Sequence, residues 1–150
     1  MRVFLLLILM PAAALADDSP LFNSDEPLEI TIEFPLRDVM RKAKNRPVVD
    51  GGASYTNADG SVTSLPVEMS TRGKSRLSVC RFPPLALSVK KKAAAGTVFA
   101  GQKSLKIVTH CREHLLYRNY LLQEYGIYEA FNVLTESSFR ARLINVTYRD

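Results

Sequence analysis

The chain has 150 residues, of which 47% are hydrophobic and 23% are charged, and its formal net charge is +5. Typical domains contain about 100–200 residues, so this length suits one domain and excludes a complete bilobal enzyme such as a kinase. The charged fraction is near the globular average, which excludes wholesale disorder. Two cysteines are too few for a dense disulfide scaffold.

The N-terminus has the order of features that is typical of a secretory signal peptide. Arg2 supplies a positive charge, residues 3–10 are an unbroken apolar run, a proline interrupts it, and small residues follow up to Ala16. We therefore predict a signal peptide at residues 1–16, cleaved between Ala16 and Asp17, and a periplasmic or extracellular mature protein. The apolar run is shorter than the ~20 residues that span a bilayer, so we predict no membrane span in the mature chain. A buried N-terminal helix or strand is the alternative.

The next elements alternate between strand, helix and loop signals. Residues 17–27 are polar and acidic, which indicates a flexible acidic leader. Residues 28–34 alternate apolar and polar side chains, the clearest strand signal in the chain. A proline then begins a short helix at residues 36–44. Residues 45–52 contain a proline and an Asp-Gly-Gly run, which predicts a loop.

A hairpin is predicted next. Residues 53–56 and 61–71 are its arms, and the turn between them contains an Asp-Gly pair, which supplies the positive φ that such turns need. Pro66 indicates an edge position or a bulge in the second arm. Two further strands are predicted at residues 81–89 and 105–108.

The last elements are a long helix and a final strand. Apolar side chains recur at spacings of three and four between residues 113 and 134, which predicts an amphipathic helix. Residues 139–148 predict a strand. The fold class is therefore α+β, with an antiparallel sheet and one long helix packed on it, in a single domain at residues 28–150. Because the final strand runs to the terminus without a turn, we expect this domain to be incomplete at its C-terminus.

Charge is distributed unevenly along the chain. Residues 17–68 carry ten acids and five bases, residues 69–118 carry eleven bases and one acid, and residues 119–150 have a net charge of −1. The central segment, at +10, is where an acidic protein or an envelope polyanion would bind. Its bases are not interleaved with aromatic residues, which argues against nucleic acid as the partner.

The two cysteines each lie beside a predicted strand. Cys80 precedes the strand that is entered through residues 81–84 and covers residues 85–89, and Cys111 follows the strand at residues 105–108. If these strands pair in antiparallel fashion the two thiols meet, and an exported chain meets an oxidising environment, so we predict a Cys80–Cys111 disulfide. Two buried free thiols, or a thiol that binds a metal, are the alternatives.

Two clusters have side chains that suit ligand chemistry. His110-Cys111-Arg112-Glu113-His114 has metal-ligand residue types, but no second cluster completes a tetrahedral set, so a strand-to-helix junction is preferred and no metal is predicted. Arg72-Gly73-Lys74-Ser75-Arg76 is a candidate phosphate cradle, because arginine binds phosphate bidentately and glycine lets backbone N–H groups approach. A solvated turn is the alternative for this loop. No catalytic constellation can be assigned.

Four short motifs follow one another in a recognisable order. They are Arg72-Gly73-Lys74-Ser75-Arg76, Phe82-Pro83-Pro84-Leu85 with Lys90-Lys91 after it, Leu105-Lys106-Ile107-Val108, and Leu116-Tyr117-Arg118-Asn119. This order resembles the spore-coat protein H (CotH) kinase-like family, and exported bacterial members of it in particular, over about residues 67–148.

The resemblance implies the N-terminal part of an atypical protein-kinase fold that binds ATP and Mg²⁺. It places a basic loop against the nucleotide phosphates, and it adds the strand-entry lysines and the helix-start arginine to the candidate site. These candidates are Arg72, Gly73, Lys74, Ser75, Arg76, Lys90, Lys91 and Arg118. Pro83-Pro84 departs from the family's Pro-Lys pair, and the family's metal-binding acids would follow Asp150. Phosphoryl transfer needs those acids, so the chain alone is not expected to be catalytic.

Three functions remain open from the sequence. The first is an exported kinase-like N-terminal part that retains phosphate contacts. The second is a non-catalytic binding module that docks an acidic partner through residues 72–118. In the third, the basic segment only balances the acidic segment 17–68 within the fold.

Overall fold

A computed structural model describes residues 19–150, so the predicted signal peptide and its cleavage site between Ala16 and Asp17 lie outside the described residues. The six strands are β1 Leu28–Glu33, β2 Val49–Thr56, β3 Val62–Thr71, β4 Leu85–Ser88, β5 Ser104–Ile107 and β6 Ile144–Arg149. The helices are α1 Leu36–Arg41, α2 Arg76–Val79, α3 Lys91–Ala94 and α4 Leu115–Leu134, with short 3-10 turns at Pro20–Phe22 and Ala43–Asn45.

The strands form one curled six-stranded sheet in the order β5-β4-β3-β2-β1-β6. The first four pairings in this order are antiparallel, but β6 pairs with β1 in parallel, with Leu28 opposite Ile144. The predicted α+β class is confirmed, and the prediction of a purely antiparallel sheet is wrong at this one pairing. Parallel neighbours need a long crossover connection, and the elements from α1 to α4 lie between β1 and β6 along the chain.

The hydrophobic core lies on one face of the sheet. Alternate residues of β1 are buried, and the most buried large side chains are Ile32, Val39, Met69, Leu85 and Leu87. The segment predicted as a leader also contributes to this core, because Leu21 of the first 3-10 turn is 5% exposed. Residues of β1, β3 and β4 therefore meet in a single cluster.

Pro66 lies inside β3, where it pairs with Gly52 of β2. The pairing of β3 with β4 covers only Glu68 to Thr71. At Pro66, β3 thus has a neighbouring strand on one side alone, which confirms the predicted edge position and explains why a residue without an N–H is tolerated.

Gly51 and Gly52 are in a strand, whereas the sequence predicted a loop up to Gly52. β2 begins at Val49, and Gly52 pairs with Glu33 of β1. A Cβ at Gly51 would lie 2.6 Å from the backbone oxygen of Glu33 and 3.0 Å from the Cβ of Phe34. The glycine is therefore required by the close approach of two backbones and not by a turn.

Gly51→Ala should lower the free energy of unfolding by about 1–3 kcal/mol, because the added methyl group forces β1 and β2 apart. Gly52→Ala is the matched control, since its Cβ would meet nothing within 4 Å. Replacing a strand glycine at such a site is expected to be neutral or to stabilise by up to ~1 kcal/mol. Urea unfolding of both variants measures the difference, and equal stabilities would contradict the steric explanation.

The long helix is confirmed at α4, but it is not buried against the sheet as a core helix. None of its 20 residues is buried, and its better-covered side carries Leu121, Tyr125 and Tyr128. The helix continues through Gly126, where a Cβ would meet nothing within 4 Å. Within residues 19–150, no helix combines the length and the apolar character that crossing a membrane requires.

Candidate ligand-binding groove

A groove of 990 Å³ lies between the core side of the sheet and α4. The sheet contributes apolar side chains to it, among them Ile30 of β1, Leu87 of β4 and Ile107 of β5. Leu121 and Tyr128 of α4 line the groove from the helix. Because α4 is not packed tightly onto the sheet, apolar surface that a closed core would hide lines an open cleft.

Cationic side chains outnumber acidic ones in this groove. The cations are Arg72, Arg76, Lys106, Arg140 and Arg142, and the acids are Glu124 and Glu136. Five positive charges against two negative charges give the lining a net charge of +3. An apolar cleft with this balance attracts ligands that are both anionic and apolar.

Backbone contacts hold the basic loop at one end of the groove. The N–H of Arg72 donates to the oxygen of Pro84 at 2.9 Å, which fixes the loop to the entry of β4. Gly73 has φ +96°, a conformation that favours glycine. Its carbonyl oxygen accepts a hydrogen bond from Nη2 of Arg46 at 2.5 Å. Arg46 therefore adds a third guanidinium near Arg72 and Arg76.

An ion pair connects the basic loop to the long helix. Nη2 of Arg76 lies 3.2 Å from Oε2 of Glu124, and both side chains are about two-fifths exposed. A pair at this exposure contributes about 0–1 kcal/mol to stability. It does, however, neutralise Arg76, so Arg72 supplies the unpaired charge of the groove lining at this end, with the charge of Arg46 beside the loop.

At the other end, two arginines bind backbone oxygens. Arg142 donates from Nη1 to the oxygen of Leu21 at 3.0 Å and from Nε to the oxygen of Glu26 at 2.9 Å. Arg140 donates to the oxygen of Phe22 at 3.4 Å. Carbonyl oxygens do not cancel a positive charge, so both guanidinium groups keep their charge at this rim.

Lys106 and Tyr125 are further polar residues of the lining. Nζ of Lys106 lies 4.7 Å from the centroid of the Phe139 ring, a cation–π contact on an exposed lysine. Burial raises the pKa of Tyr125 above its ordinary value, and the carboxylates of Glu129 and Asp25 raise it further. Tyr125 is therefore a neutral hydrogen-bond donor at physiological pH.

The structure brings only some of the sequence candidates together. Arg72, Gly73 and Arg76 line the groove, whereas Lys74 and Ser75 are exposed on the same loop outside it. They would contact a ligand only if it extended beyond the groove.

The other three candidates lie apart from the basic loop. Lys90 follows the opposite end of β4, five residues past Leu85, or about 16 Å along an extended chain. Its Nζ is 3.9 Å from Glu68, and Lys91 begins α3. Arg118 is exposed on α4 and does not line the groove.

Several groove residues were not among the sequence candidates. Arg140 and Arg142 lie outside the basic segment, and Glu124 is on the predicted helix. The net charge of −1 for residues 119–150 concealed the two arginines near residue 141. Clustered arginines just before the final strand were the one local signal that could have indicated them.

The predicted disulfide is confirmed, and the histidines beside it have structural roles. Cys80 and Cys111 are bonded, with their Cα atoms 4.5 Å apart. His114 precedes α4 and accepts a hydrogen bond at Nδ1 from the N–H of Leu116 at 3.2 Å, so it caps the helix. His110 lies 3.3 Å from the hydroxyl of Thr109. Across residues 19–150, no three histidine, cysteine or acidic side chains are grouped as metal ligands.

The groove supplies both charge and apolar surface. No family model matches the chain, and no curated protein or solved structure shows significant similarity to it.

Proposed function

We propose that this protein is a non-catalytic binding module that acts after export. Its groove takes an acidic segment of a partner protein that also carries apolar side chains. The observation that carries this proposal is the combination of an apolar lining with five cations against two acids. A purely polyanionic polymer would use the cations but leave the apolar lining in water, so an acidic protein suits the groove better.

The charges and the apolar surface have different tasks in this proposal. The cations at the two ends attract the acidic segment over a distance and are screened by salt. The side chains of β1, β4 and β5 then take up the apolar residues of the partner and supply most of the affinity. The groove is 990 Å³, at the upper end of the range for small-molecule sites.

The test uses a labelled peptide that alternates glutamate and leucine, with an all-glutamate peptide of the same length beside it. The alternating peptide should bind, and its affinity should fall as the salt concentration rises. Arg72→Ala and Lys106→Ala should each weaken binding by up to about fivefold, the range expected for exposed charges. Fluorescence anisotropy measures each affinity.

Lys92→Ala is the matched control for this test, because Lys92 is exposed and does not line the groove. It removes the same charge and should leave the affinity unchanged. If Lys92→Ala weakens binding as much as Arg72→Ala, net charge alone would explain the interaction. Equal binding of the all-glutamate peptide would also contradict the proposal.

A second candidate function is the nucleotide binding that the spore-coat resemblance implies. It is favoured by the ion pair between Arg76 and Glu124, since kinases also connect a cation near the phosphates to a glutamate on a long helix. Under this proposal Arg72→Ala and Lys74→Ala should abolish saturable binding of ATP with Mg²⁺, whereas Lys103→Ala should have little effect. If ATP does not bind, this candidate fails while the peptide-binding proposal is untouched.

A further inference from the structure

The side of α4 that faces away from the groove is apolar and uncovered. Five of the eight exposed large apolar side chains of α4 lie along this side. They are Leu116 at 47%, Tyr120 at 52%, Ile127 at 58%, Phe131 at 53% and Leu134 at 79%. An exposed apolar surface of this length, interrupted only by Gln123, marks an interaction surface.

The stripe has the spacing of a coiled-coil seam. Exposed residues recur at intervals of four, three, four, three and four, which is the spacing of alternating a and d positions. The six seam positions are Leu116, Tyr120, Gln123, Ile127, Ala130 and Leu134. At 100° per residue, these positions all lie within about 40° of one line along the surface of the helix. Around the helix axis, this line is more than 100° from the side that faces the groove.

The six seam positions are arranged symmetrically about residue 125, so that each position on one side has a counterpart at the same distance on the other side. An antiparallel copy of α4, related by a two-fold axis at that level, would place Leu116 opposite Leu134. Tyr120 would lie opposite Ala130, so a large side chain faces a small one. A surface that complements itself in this way is what a two-fold homodimer requires.

The charges of α4 do not oppose such a contact. Arg118 and Glu129 lie on the opposite side of the helix from the seam, by about 140–160°. Glu124 lies at the edge of the seam, and Arg76 of its own chain neutralises it. Two copies can thus approach through this side without placing like charges against each other.

The exposed area is also sufficient for a dimer. A fully exposed large side chain offers ~150–250 Å², so five that are about half exposed offer on the order of 500 Å² per copy. Two copies would bury about 1,000 Å², the lower limit for a specific interface. Gly126 lies at the border of the seam, and nothing in its own chain comes within 4 Å of its missing Cβ. A second helix can approach closely there.

We propose that two copies of this chain associate through the outer side of α4, in antiparallel orientation. The side of α4 that carries Leu121, Tyr125 and Tyr128 still faces the sheet in this arrangement, so the dimer leaves both grooves open. This proposal does not depend on what the groove binds.

Sedimentation velocity of the purified chain over a range of concentrations tests the proposal, with a dimer expected at micromolar concentration. Ile127→Glu places a charge in the seam and should raise the dissociation constant by about 30-fold or more. Leu122→Glu is the matched control, because Leu122 is on the same helix and 46% exposed but lies outside the seam. Circular dichroism checks that both variants keep the helix.

The orientation has a separate test. A mixture of Tyr120→Cys and Ala130→Cys chains should form a cross-link between the two variants, whereas a parallel dimer would cross-link each variant with itself. A wild-type chain that stays monomeric at about 100 μM overturns the proposal, whether or not α4 then binds lipid vesicles or another protein. Equal dissociation by Leu122→Glu and Ile127→Glu also overturns it.

Discussion

Replacing both cysteines, as Cys80→Ser together with Cys111→Ser, should lower the free energy of unfolding by about 3–4 kcal/mol. The bridge joins residues 31 apart in sequence. Its loss lets the unfolded chain explore conformations that the closed loop excludes, and the loop-closure relation gives this magnitude for about 30 residues. Urea unfolding of the variant and of the wild-type protein measures the change.

The structure also predicts where the loss acts first. The bridge joins the end of α2 to the segment before α4, beside a hydrogen bond from the N–H of Arg81 to the oxygen of Cys111 at 3.0 Å. The ion pair between Arg81 and Glu113 next to it is about three-quarters exposed on both sides, so it contributes little. With no buried residue of its own, α4 depends on this attachment.

Hydrogen exchange should therefore become faster over residues 111–134 in the variant, while β1 to β3 keep their protection. Wild-type protein reduced with dithiothreitol is the control, since it should match the double variant without any change of sequence. A loss of stability below about 1 kcal/mol, or faster exchange spread evenly over the sheet, would contradict this account.

Local patterns were sufficient where the type of an element is set by a short-range period in the sequence. The alternation in residues 28–34 predicted β1, and the helical period predicted α4. The disulfide was predicted on the assumption that the two neighbouring strands pair in antiparallel fashion. β4 and β5 do so, and the N–H of Arg81 donates a hydrogen bond to the oxygen of Cys111 just beyond their pairing. The spacing of apolar residues and the position of turn residues are enough to predict such elements.

Features that depend on distant parts of the chain were missed. A final strand was predicted at residues 139–148 and is found at Ile144–Arg149, but nothing in the sequence indicated that it lies beside β1, in parallel, more than 100 residues away. Gly51 resembles a turn residue, yet it is needed where β2 approaches the backbone of Glu33. The alternation of apolar and polar residues within one segment does not show which strand it will pair with. Nor does it show where two backbones will come close together.

The residues that line the groove were likewise only partly predictable from local patterns in the sequence. Counting charge by segment drew attention to Arg72 and Arg76, which line the groove, but Lys90 belongs to the same basic segment and lies at the other end of β4. Arg140 and Arg142 reach the groove from a segment whose net charge is slightly negative. The fold therefore brings together charges from different segments and separates charges of the same segment. Only the side chains that lie on one surface contribute to the same electrostatic potential.

Raising the pH from 10 to 12 should destabilise the folded protein through Tyr148. This side chain of β6 lies between Phe34 and Phe82, with ring centroids 6.1 Å and 5.2 Å away. Its hydroxyl is buried and has no hydrogen-bond partner among the described residues. Burial raises the pKa of Tyr148 from 10.0 to about 12, because the phenolate would lose its hydration.

The sign of the pH effect follows from which state holds the proton. Between pH 10 and 12 the folded protein keeps the Tyr148 proton while the unfolded chain releases it, so rising pH favours unfolding. The folded protein therefore keeps its full stability below pH 10, and it loses the Tyr148 contribution as the pH rises from 10 through the folded-state pKa. A shift of two pKa units corresponds to about 2.7 kcal/mol.

Tyr148→Phe should remove this pH dependence and leave stability at pH 7 equal or higher by about 1 kcal/mol, since an unsatisfied buried hydroxyl is deleted. Urea unfolding at intervals from pH 7 to 12 compares the variant with the wild type. Tyr117→Phe deletes a hydroxyl from the partly exposed ring of Tyr117 on α4 and should keep the wild-type profile. If Tyr148→Phe falls as steeply as the wild type above pH 10, the loss arises from other groups, such as the lysines, and the buried hydroxyl is not its cause.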